Sequence, residues 1–291
     1  MEQCEKTAQQ FRSLDQPYSA IYEIDKVLTN DDVQSLKGLE GPVEKLQALR
    51  HECLAGKGIS KGLLISSDGE FVSIHRGPSL MIGRDPGNGT AGIKLHCQTL
   101  SRIPKQLRID RHGEGYSIMD LGSTNGSFLN DAQLVANQSV LLEQLSQGVT
   151  ISLGGVLNPP EKGECRLNLS TLGGGNGTLQ IQVQTSHMTE PLRAQLAANW
   201  PNMDRDCAGR WLYTEEPVLI GSGANCRLHI TPAESSDAVA RIEWNENGYI
   251  LAPLSDQVKI DGAPILQPVI ILGSATLSIL GQDYHIEDNG G

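Results

Sequence analysis

From Lys61 onward, apolar residues alternate with polar ones in short runs, and this period of two constrains the fold more than any other feature of the chain. Alternation is expected of strands that bury one face and expose the other. Turn residues separate the runs at a spacing typical of all-β sandwiches. The sequence therefore predicts a mainly β protein. In the first half of the chain the runs are GLLIS, FVSI, SLMIG, GIKLH, QLRI, YSIM, SFL and VTISLG.

The pattern occurs twice along the chain. PSLMIGRDPGN around Gly83 is echoed by PVLIGSGANC around Gly221, and GIKLHC is echoed by CRLHI. Further along, HGEGYSIMDL is echoed by NENGYILAPL, and VTISLG by ATLSILG. Chance explains one shared order of four segments poorly, so the sequence predicts two tandem copies of one β fold.

Two other segments have helical periodicity. Apolar residues recur at helical spacing near the N-terminus, interrupted by glycine and proline, which indicates two or three short helices. In PLRAQLAANWPN, Leu192, Leu196 and Trp200 share that spacing and Pro201 ends the helix. The predicted organisation is a helical N-terminal region at 1–60, a β domain at 61–171, a linker with a strand and short helix at 172–207, and a second β copy at 208–288.

Charge and cysteine usage narrow the classes of function. A formal net charge of −11 makes nonspecific binding to nucleic acid or to an anionic membrane unfavourable, so we expect neither partner. The six cysteines are far apart, form no CxxC pair and follow no apolar signal sequence. We expect free thiols in a reducing compartment and hence a cytoplasmic protein.

Three motifs in the first copy occur in a fixed order. GRDP begins at Gly83, SR follows at Ser101, and DLGSTNGSFLN spans residues 120–130. This ordered set resembles the forkhead-associated (FHA) domain, a β-sandwich family that recognises phosphothreonine peptides. The resemblance covers about residues 62 to 170. It implies two tandem FHA-like sandwiches preceded by a short helical region, the second copy being degenerate.

The resemblance also implies a binding site at one end of the first sandwich. Arg84 and Ser101 match the positions that hold the phosphate, Arg102 and Thr124 match accessory phosphate contacts, and Asn125 matches the residue that holds the peptide backbone. Gly83, Pro104 and Gly126 would support the site. The chemistry agrees, because a phosphothreonine is best met by a guanidinium fork with hydroxyl and amide donors.

The first copy departs from the family pattern at one position. The family usually has a histidine three residues after the serine, where it braces the loop, but this chain has Pro104. The substitution removes a hydrogen-bonding brace, which the proline replaces only by stiffening the loop. Two interpretations therefore stay open: a phosphothreonine-binding adaptor in signalling, and a phosphate-independent interaction scaffold within a larger assembly.

The second copy keeps the strand pattern and loses the ligand groups. Ser222 stands in the position of the arginine, and the segment from Ser255 has no Thr-Asn pair. The preferred register matches Ser236, Asp237 and Val239 with Ser101, Arg102 and Pro104, whereas a gapless register matches Glu234 with Ser101. Either register brings a carboxylate towards the site, so we expect this copy not to bind phosphate.

Catalysis is not expected. The seven histidines have no metal-ligand spacing, and GGGNGT at 173–178 lacks the lysine of a phosphate-binding P-loop. We therefore predict neither enzyme activity nor a metal or other cofactor. The predicted partner is a phosphothreonine-containing protein, such as a Ser/Thr kinase or its substrate, and a homo-oligomer is compatible with the sequence.

Overall fold

The computed structural model describes residues 1–30, 33, 39–53, 62–84, 92–113, 115–154, 165–172, 177–186, 190–197, 200–230 and 237–288, without the side chains of 192 and 195. The chain divides into two compact units. We call residues 61–216 the central unit, and residues 1–60 together with 217–290 the terminal unit. The chain leaves the terminal unit after its N-terminal helices and returns to it at Pro217.

The described helices lie near the N-terminus and between the two strand-rich regions. They are α1 (Glu2–Ser13), α2 (Pro17–Leu28), α3 (Glu40–Cys53), α4 (Glu190–Ala197) and α5 (Met203–Ala208), with a 3-10 turn at Leu145–Gln147. The N-terminal helices confirm the helical region predicted there. Among the described residues, no helix has the length and apolar character needed to cross a membrane.

The strands of the central unit form two sheets. They are β1 (Gly62–Ser67), β2 (Glu70–His75), β3 (Ser79–Arg84), β4 (Ile93–Leu95), β5 (Leu107–His112), β6 (Gly115–Asp120), β7 (Ser127–Leu129), β8 (Ala132–Gln133), β9 (Ser139–Leu141), β10 (Val149–Leu153), β11 (Cys165–Leu172), β12 (Thr178–Val183) and β13 (Gly209–Tyr213). One sheet has the order β4-β3-β5-β6-β9, and the other contains β1-β2-β13-β12-β11-β10-β7-β8.

A single apolar core joins the two sheets of the central unit. Ile82, Ile109 and Ile118 come from the first sheet, and Ile151 and Leu167 come from the second; each is fully buried. Strand alternation sends these side chains to the same side, as the period-two pattern predicts. The β-sandwich expected from the sequence is confirmed, and its core fixes the strand ends from which the connecting loops depart.

The segment predicted as a linker, 172–207, lies within the central unit instead. Strand β12 pairs with β11 on one side and with β13 on the other, and it buries Leu179 and Ile181. Strand β13, placed by the sequence at the start of the second copy, also pairs in parallel with β2. The boundary predicted at 208 therefore lies inside the central unit. Alternation identifies a strand but carries no information about which sheet it joins.

Helix α5 is held to the central unit by a buried carboxylate. Asp206 is 2% exposed and accepts hydrogen bonds from the His96 backbone N–H at 2.7 Å, from His96 Nδ1 at 2.8 Å and from Trp200 Nε1 at 2.6 Å. Leu196 and Trp200 are buried in the same core. The helix predicted from Leu192 to Trp200 is confirmed as far as Ala197, and Trp200 itself lies outside α4. His96 opens the segment that leads to Ser101, so residues beyond the predicted β domain support that segment.

The terminal unit also contains two sheets. Its strands are β14 (Val218–Gly221), β15 (Leu228–His229), β16 (Ala238–Asn245), β17 (Gly248–Pro253), β18 (Val258–Ile260), β19 (Ala263–Pro264), β20 (Val269–Ile270), β21 (Ser274–Ile279) and β22 (Gln282–Asp288). One sheet has the order β15-β14-β16-β17-β20, and the other includes β19-β18-β21-β22. The first order repeats β4-β3-β5-β6-β9 of the central unit strand for strand, including the parallel first pair.

The N-terminal helices pack on the strands of the terminal unit. The Tyr18 hydroxyl accepts a hydrogen bond from the Leu272 N–H at 2.6 Å and donates to Ile270 O at 3.3 Å. Arg50 donates to the buried Asp25 carboxylate at 2.6 Å and to Pro268 O at 2.8 Å. These bonds satisfy backbone groups next to β20, so helices and strands form one unit although they are distant in sequence.

Removing the Asp206 carboxylate tests how α5 is attached. Asp206→Ala leaves three donors without their acceptor, and we expect the free energy of unfolding of the central unit to fall by about 3 kcal/mol. Hydrogen exchange of the core amides under increasing urea measures the change. Asp204→Ala, in the same helix, removes only a surface ion pair with Arg193 and should change the value by less than about 1 kcal/mol. Equal effects of the two substitutions would contradict the role of Asp206.

Candidate functional site

The five residues predicted to bind a phosphopeptide come from three segments at one end of the central sandwich. Arg84 is the last residue of β3, Ser101 and Arg102 lie between β4 and β5, and Thr124 and Asn125 lie between β6 and β7. The structure brings all three segments together through hydrogen bonds. The residues that follow Arg84, including Asp85 and Pro86 of the GRDP motif, fall outside the described part of the chain.

The end of β3 is bonded to the segment that carries Ser101. The Arg84 N–H donates to Ser101 O at 3.0 Å, and the Ile103 N–H donates to Arg84 O at 3.0 Å. Gly83 makes this approach possible, because a Cβ there would lie 2.9 Å from Ser101 O and 3.1 Å from the Cβ of Gln106. Glycine is therefore required by space at Gly83, in agreement with its predicted supporting role.

The Ser101 hydroxyl joins its segment to the loop between β6 and β7. Its Oγ accepts a hydrogen bond from the Thr124 backbone N–H at 2.9 Å and lies 3.4 Å from Thr124 Oγ1. Both side chains are accessible, since Ser101 is half-buried and Thr124 is exposed. The hydroxyl groups of Ser101 and Thr124 thus lie next to each other, beside the end of β3 that carries Arg84.

The Asn125 side chain is also part of the connection between the loops. Its Nδ2 donates to Thr99 O at 2.8 Å. The residue is half-buried, and Gly126 beside it has a φ of +77°, which glycine adopts without strain. A contact of Asn125 with a peptide backbone stays a prediction, whereas its contact with Thr99 is a structural role that sequence reasoning did not assign.

The Arg84 side chain contains a polar group without a partner. Its Nε is buried and has no hydrogen-bond acceptor among the described residues. A buried guanidinium N–H without an acceptor is unfavourable, and an anion at this position would supply one. Arg102 is exposed and adjoins Arg84 across an isolated β-bridge, so the second guanidinium belongs to the same end of the sandwich.

A buried carboxylate shapes the loop that carries Thr124 and Asn125. Asp120 is 2% exposed and accepts from the N–H groups of Gly122 and Ser123, each at 2.8 Å, from Ser123 Oγ at 2.6 Å and from Ser127 Oγ at 2.5 Å. An aspartate that binds backbone N–H groups two and three residues ahead is a common way of fixing a turn. Asp120 is the first residue of the motif DLGSTNGSFLN, but the sequence alone indicated no role for it.

Gln106 connects the two segments below the surface. It is fully buried, its Oε1 accepts from the Ser101 N–H at 2.7 Å, and its Nε2 donates to Gly126 O at 3.3 Å and to Ser127 Oγ at 3.0 Å. Sequence reasoning missed Gln106, because the linear motif gives no sign that a residue so near the strand start faces inward. Its only local signal is its position one residue before the fully buried Leu107.

Pro104 lies in the turn that follows Ser101 and Arg102. It is exposed, and the turn around it is closed by a hydrogen bond from the Lys105 N–H to Arg102 O at 2.7 Å. The hydrogen bonds that connect the Ser101 segment to the next loop involve Gln106, Ser101 and the Asn125–Thr99 pair. The supporting role expected of Pro104 stays a prediction.

Comparison with known proteins identifies the family of this region. The family model described as "FHA domain" matches residues 80–154, which contain all the site residues named above. No curated protein matches the chain.

Two solved structures of FHA domains are similar to parts of the chain. The Rv0020c_FHA structure is 16% identical, covering 27% of this chain and 79% of that one, with a TM-score of 0.24. The solution structure of the FHA domain of an Arabidopsis thaliana hypothetical protein is 28% identical, covering 34% and 83%, also with a TM-score of 0.24.

FHA domains are protein-interaction modules that bind phosphorylated peptides, and the family is not catalytic. The ordered motifs, the sandwich that carries them and the family match agree on the same region. The chain therefore contains an FHA domain, at residues 80–154 of the central unit.

Proposed function

We propose that this chain is a phosphothreonine-binding adaptor, with the phosphate held between the end of β3 and the loops that carry Ser101 and Thr124. The observation that supports this most strongly is that three segments meet at one end of the sandwich: Arg84 bonds to the backbone of Ser101, and the Ser101 hydroxyl accepts from the Thr124 N–H. Like the Nε of Arg241, the buried Arg84 Nε also lacks an acceptor among the described residues. A phosphate oxygen would complete its hydrogen bonding and neutralise its charge. The backbones of Arg84 and Ser101 are hydrogen-bonded, so the two side chains start from the same end of the sandwich.

The other donors of the site fit the same ligand. A phosphothreonine carries about −1.5 to −2 charges near neutral pH and several strong acceptor oxygens. Ser101 and Thr124 contribute hydroxyl groups from adjoining segments, and exposed Arg102 contributes a second positive charge. Recognition of a phosphorylated motif by arginines and small donors is an established binding mode. Asn125, beside Thr124, would contact the peptide backbone.

The proposed partner is a protein phosphorylated on threonine, either a Ser/Thr kinase or one of its substrates. Such a role belongs to signal transduction in the cytoplasm, and it requires no catalytic group or cofactor in this chain. The alternative is a phosphate-independent scaffold, which would use the same loops or another surface. The two functions differ in one measurable respect, the dependence of binding on the phosphate.

We also propose that the terminal unit contains a degenerate FHA-like copy that does not bind phosphate. Matching hydrogen bonds support this correspondence. The Leu121 N–H donates to Gln106 O, and the Leu254 N–H donates to Val239 O; likewise Leu134 bonds to Ser127 O and Ile265 to Val258 O. By these bonds Val239 corresponds to Gln106, which favours the gapless register, with Glu234 in the position of Ser101, over the register that matches Val239 with Pro104. Ser236 and Glu234 lie outside the described residues.

In the terminal unit, the residues at the ligand-binding positions and the residues at the loop-supporting positions both differ from those of the central unit. Ser222 follows β14 where Arg84 ends β3, so no guanidinium is available there. The three buried polar residues that support the loops of the central unit correspond to apolar residues or proline. By the matched ladders and bonds, Gln106, Asp120 and Ser127 correspond to Val239, Pro253 and Val258. The loop from Leu254 to Val258 is two residues shorter than that from Leu121 to Ser127, which removes the Thr-Asn pair.

Substitution of Arg84 tests the phosphothreonine site. Arg84→Ala removes a charge-assisted contact of about 1.5–3 kcal/mol, so we expect affinity for a phosphothreonine peptide to fall about ten- to a hundredfold. Arg84→Lys should also weaken binding, because an ammonium cannot make the planar two-pronged contact. Calorimetric titration with the best peptide of a phosphothreonine library measures both.

Two controls make the Arg84 result specific. Arg193→Ala changes the net charge by the same amount from helix α4, where Arg193 pairs with Asp204, and should leave affinity unchanged. The unphosphorylated twin of the peptide should not bind. Equal affinity for the two peptides would replace the adaptor function with the phosphate-independent scaffold.

The binding stoichiometry tests the terminal unit. If only the FHA domain binds phosphate, the full-length chain should take up one phosphothreonine peptide per molecule, and Arg84→Ala should reduce that single binding event. Ser222→Ala should have no effect. Two peptides per chain, or residual binding in Arg84→Ala that a further Ser222→Ala removes, would show a working phosphate site in the terminal unit.

A further inference from the structure

Gln106 is a fully buried amide whose hydrogen bonds reach both loops of the proposed site. Its carbonyl oxygen accepts from the N–H of Ser101, and its NH₂ group donates to Gly126 O and Ser127 Oγ. These partners fix the orientation of the amide, because a backbone N–H requires the oxygen and a carbonyl requires the nitrogen. One side chain therefore sets the distance between the two loops.

The bonds of Gln106 continue to the residues that face the ligand. The Ser127 hydroxyl donates a hydrogen bond to Asp120, and the Asp120 carboxylate accepts from the backbone N–H groups of Gly122 and Ser123 immediately before Thr124. On the other side, Ser101 receives the N–H of Thr124 on its Oγ. Among the described residues, the two loops are thus joined by Ser101 and Asn125 nearer the surface and by Gln106 in the interior.

The fold itself does not require this buried polar group. In the terminal unit, the strand order β15-β14-β16-β17-β20 forms with Val239 in the position that corresponds to Gln106. An apolar residue is the less costly choice inside a sandwich, because a buried amide must find all its partners. The unit that retains Arg84, Ser101 and Thr124 also retains the amide.

We propose that Gln106 is a positioning residue of the phosphopeptide site, and that it supplies the loop brace that Pro104 cannot provide. This inference rests on the function proposed above. Gln106 does not touch the ligand: it holds Ser101 at the separation from Thr124 and Arg84 at which one phosphate group meets all three.

Gln106→Met tests the proposal with a side chain of similar length and no strong hydrogen-bonding group. We expect affinity for the selected phosphothreonine peptide to fall at least about tenfold, since the Ser101 N–H, Gly126 O and Ser127 Oγ all lose a partner. Hydrogen exchange of the Ser101 amide should become faster in the same variant. Gln180→Met, on strand β12, is the matched control and should change neither quantity.

Gln106→Glu separates positioning from simple stability. When protonated, the introduced carboxyl accepts from Ser101 with its carbonyl oxygen and donates from its hydroxyl, as the amide does; when ionised, it cannot donate. Burial raises the pKa of such a group, so low pH favours the form that can replace the amide and high pH favours the form that cannot. The ratio of the variant's dissociation constant to that of the wild type should be near one at about pH 5 and rise about tenfold by about pH 8.

The results of these experiments decide whether Gln106 is a positioning residue. Wild-type affinity in Gln106→Met, or a Gln106→Glu ratio that falls as the pH rises, would overturn the proposal. If the wild-type chain binds no phosphothreonine peptide, the proposed function fails, and exchange of the Ser101 amide then judges the brace alone. Unchanged exchange in Gln106→Met would overturn the brace as well.

Discussion

The structure of the central unit depends on one constraint: its two sheets share a single apolar core. Alternate side chains of β3, β5 and β6 meet those of β10 and β11 there, and Ile82, Ile109 and Ile151 are fully buried. Because packing at this density allows little displacement, the ends of the strands have fixed positions. The loops that carry Ser101 and Thr124 therefore begin from rigid supports, which is the condition for a preorganised binding site.

Rigid strand ends alone do not determine the shape of the loops. Asp120, Ser127 and Gln106 add a buried set of hydrogen bonds in which backbone groups of both loops find partners. Such a set is costly when incomplete and specific when complete. The residues of the terminal unit with matching backbone bonds, Val239 and Val258, are apolar. If that unit is the degenerate copy proposed above, support and ligand groups are absent together, as expected of groups that serve one purpose.

The central unit is longer than the segment that the FHA family model matches. The family match ends at residue 154, yet the unit continues to Glu216 with β12, α5 and β13. Asp206 returns from this extension to hold the backbone of His96, and Thr99 and Ser101 follow along the same segment. The extension is therefore part of the foundation of the binding end, although it contributes none of the proposed ligand contacts.

The sequence by itself determined the β-sandwich, the N-terminal helices and the FHA motifs, because alternation, helical spacing and short motifs are local properties that linear patterns record. It also predicted that Arg84, Ser101 and Thr124 lie together, which the structure bears out in their backbone contacts, while their binding of phosphate stays a proposal. Only the tertiary structure decided that β13 joins the sheet of the central unit and that Gln106 faces inward to brace two loops. Strand partners and buried polar bonds depend on residues far apart in the chain, so no local pattern could specify them.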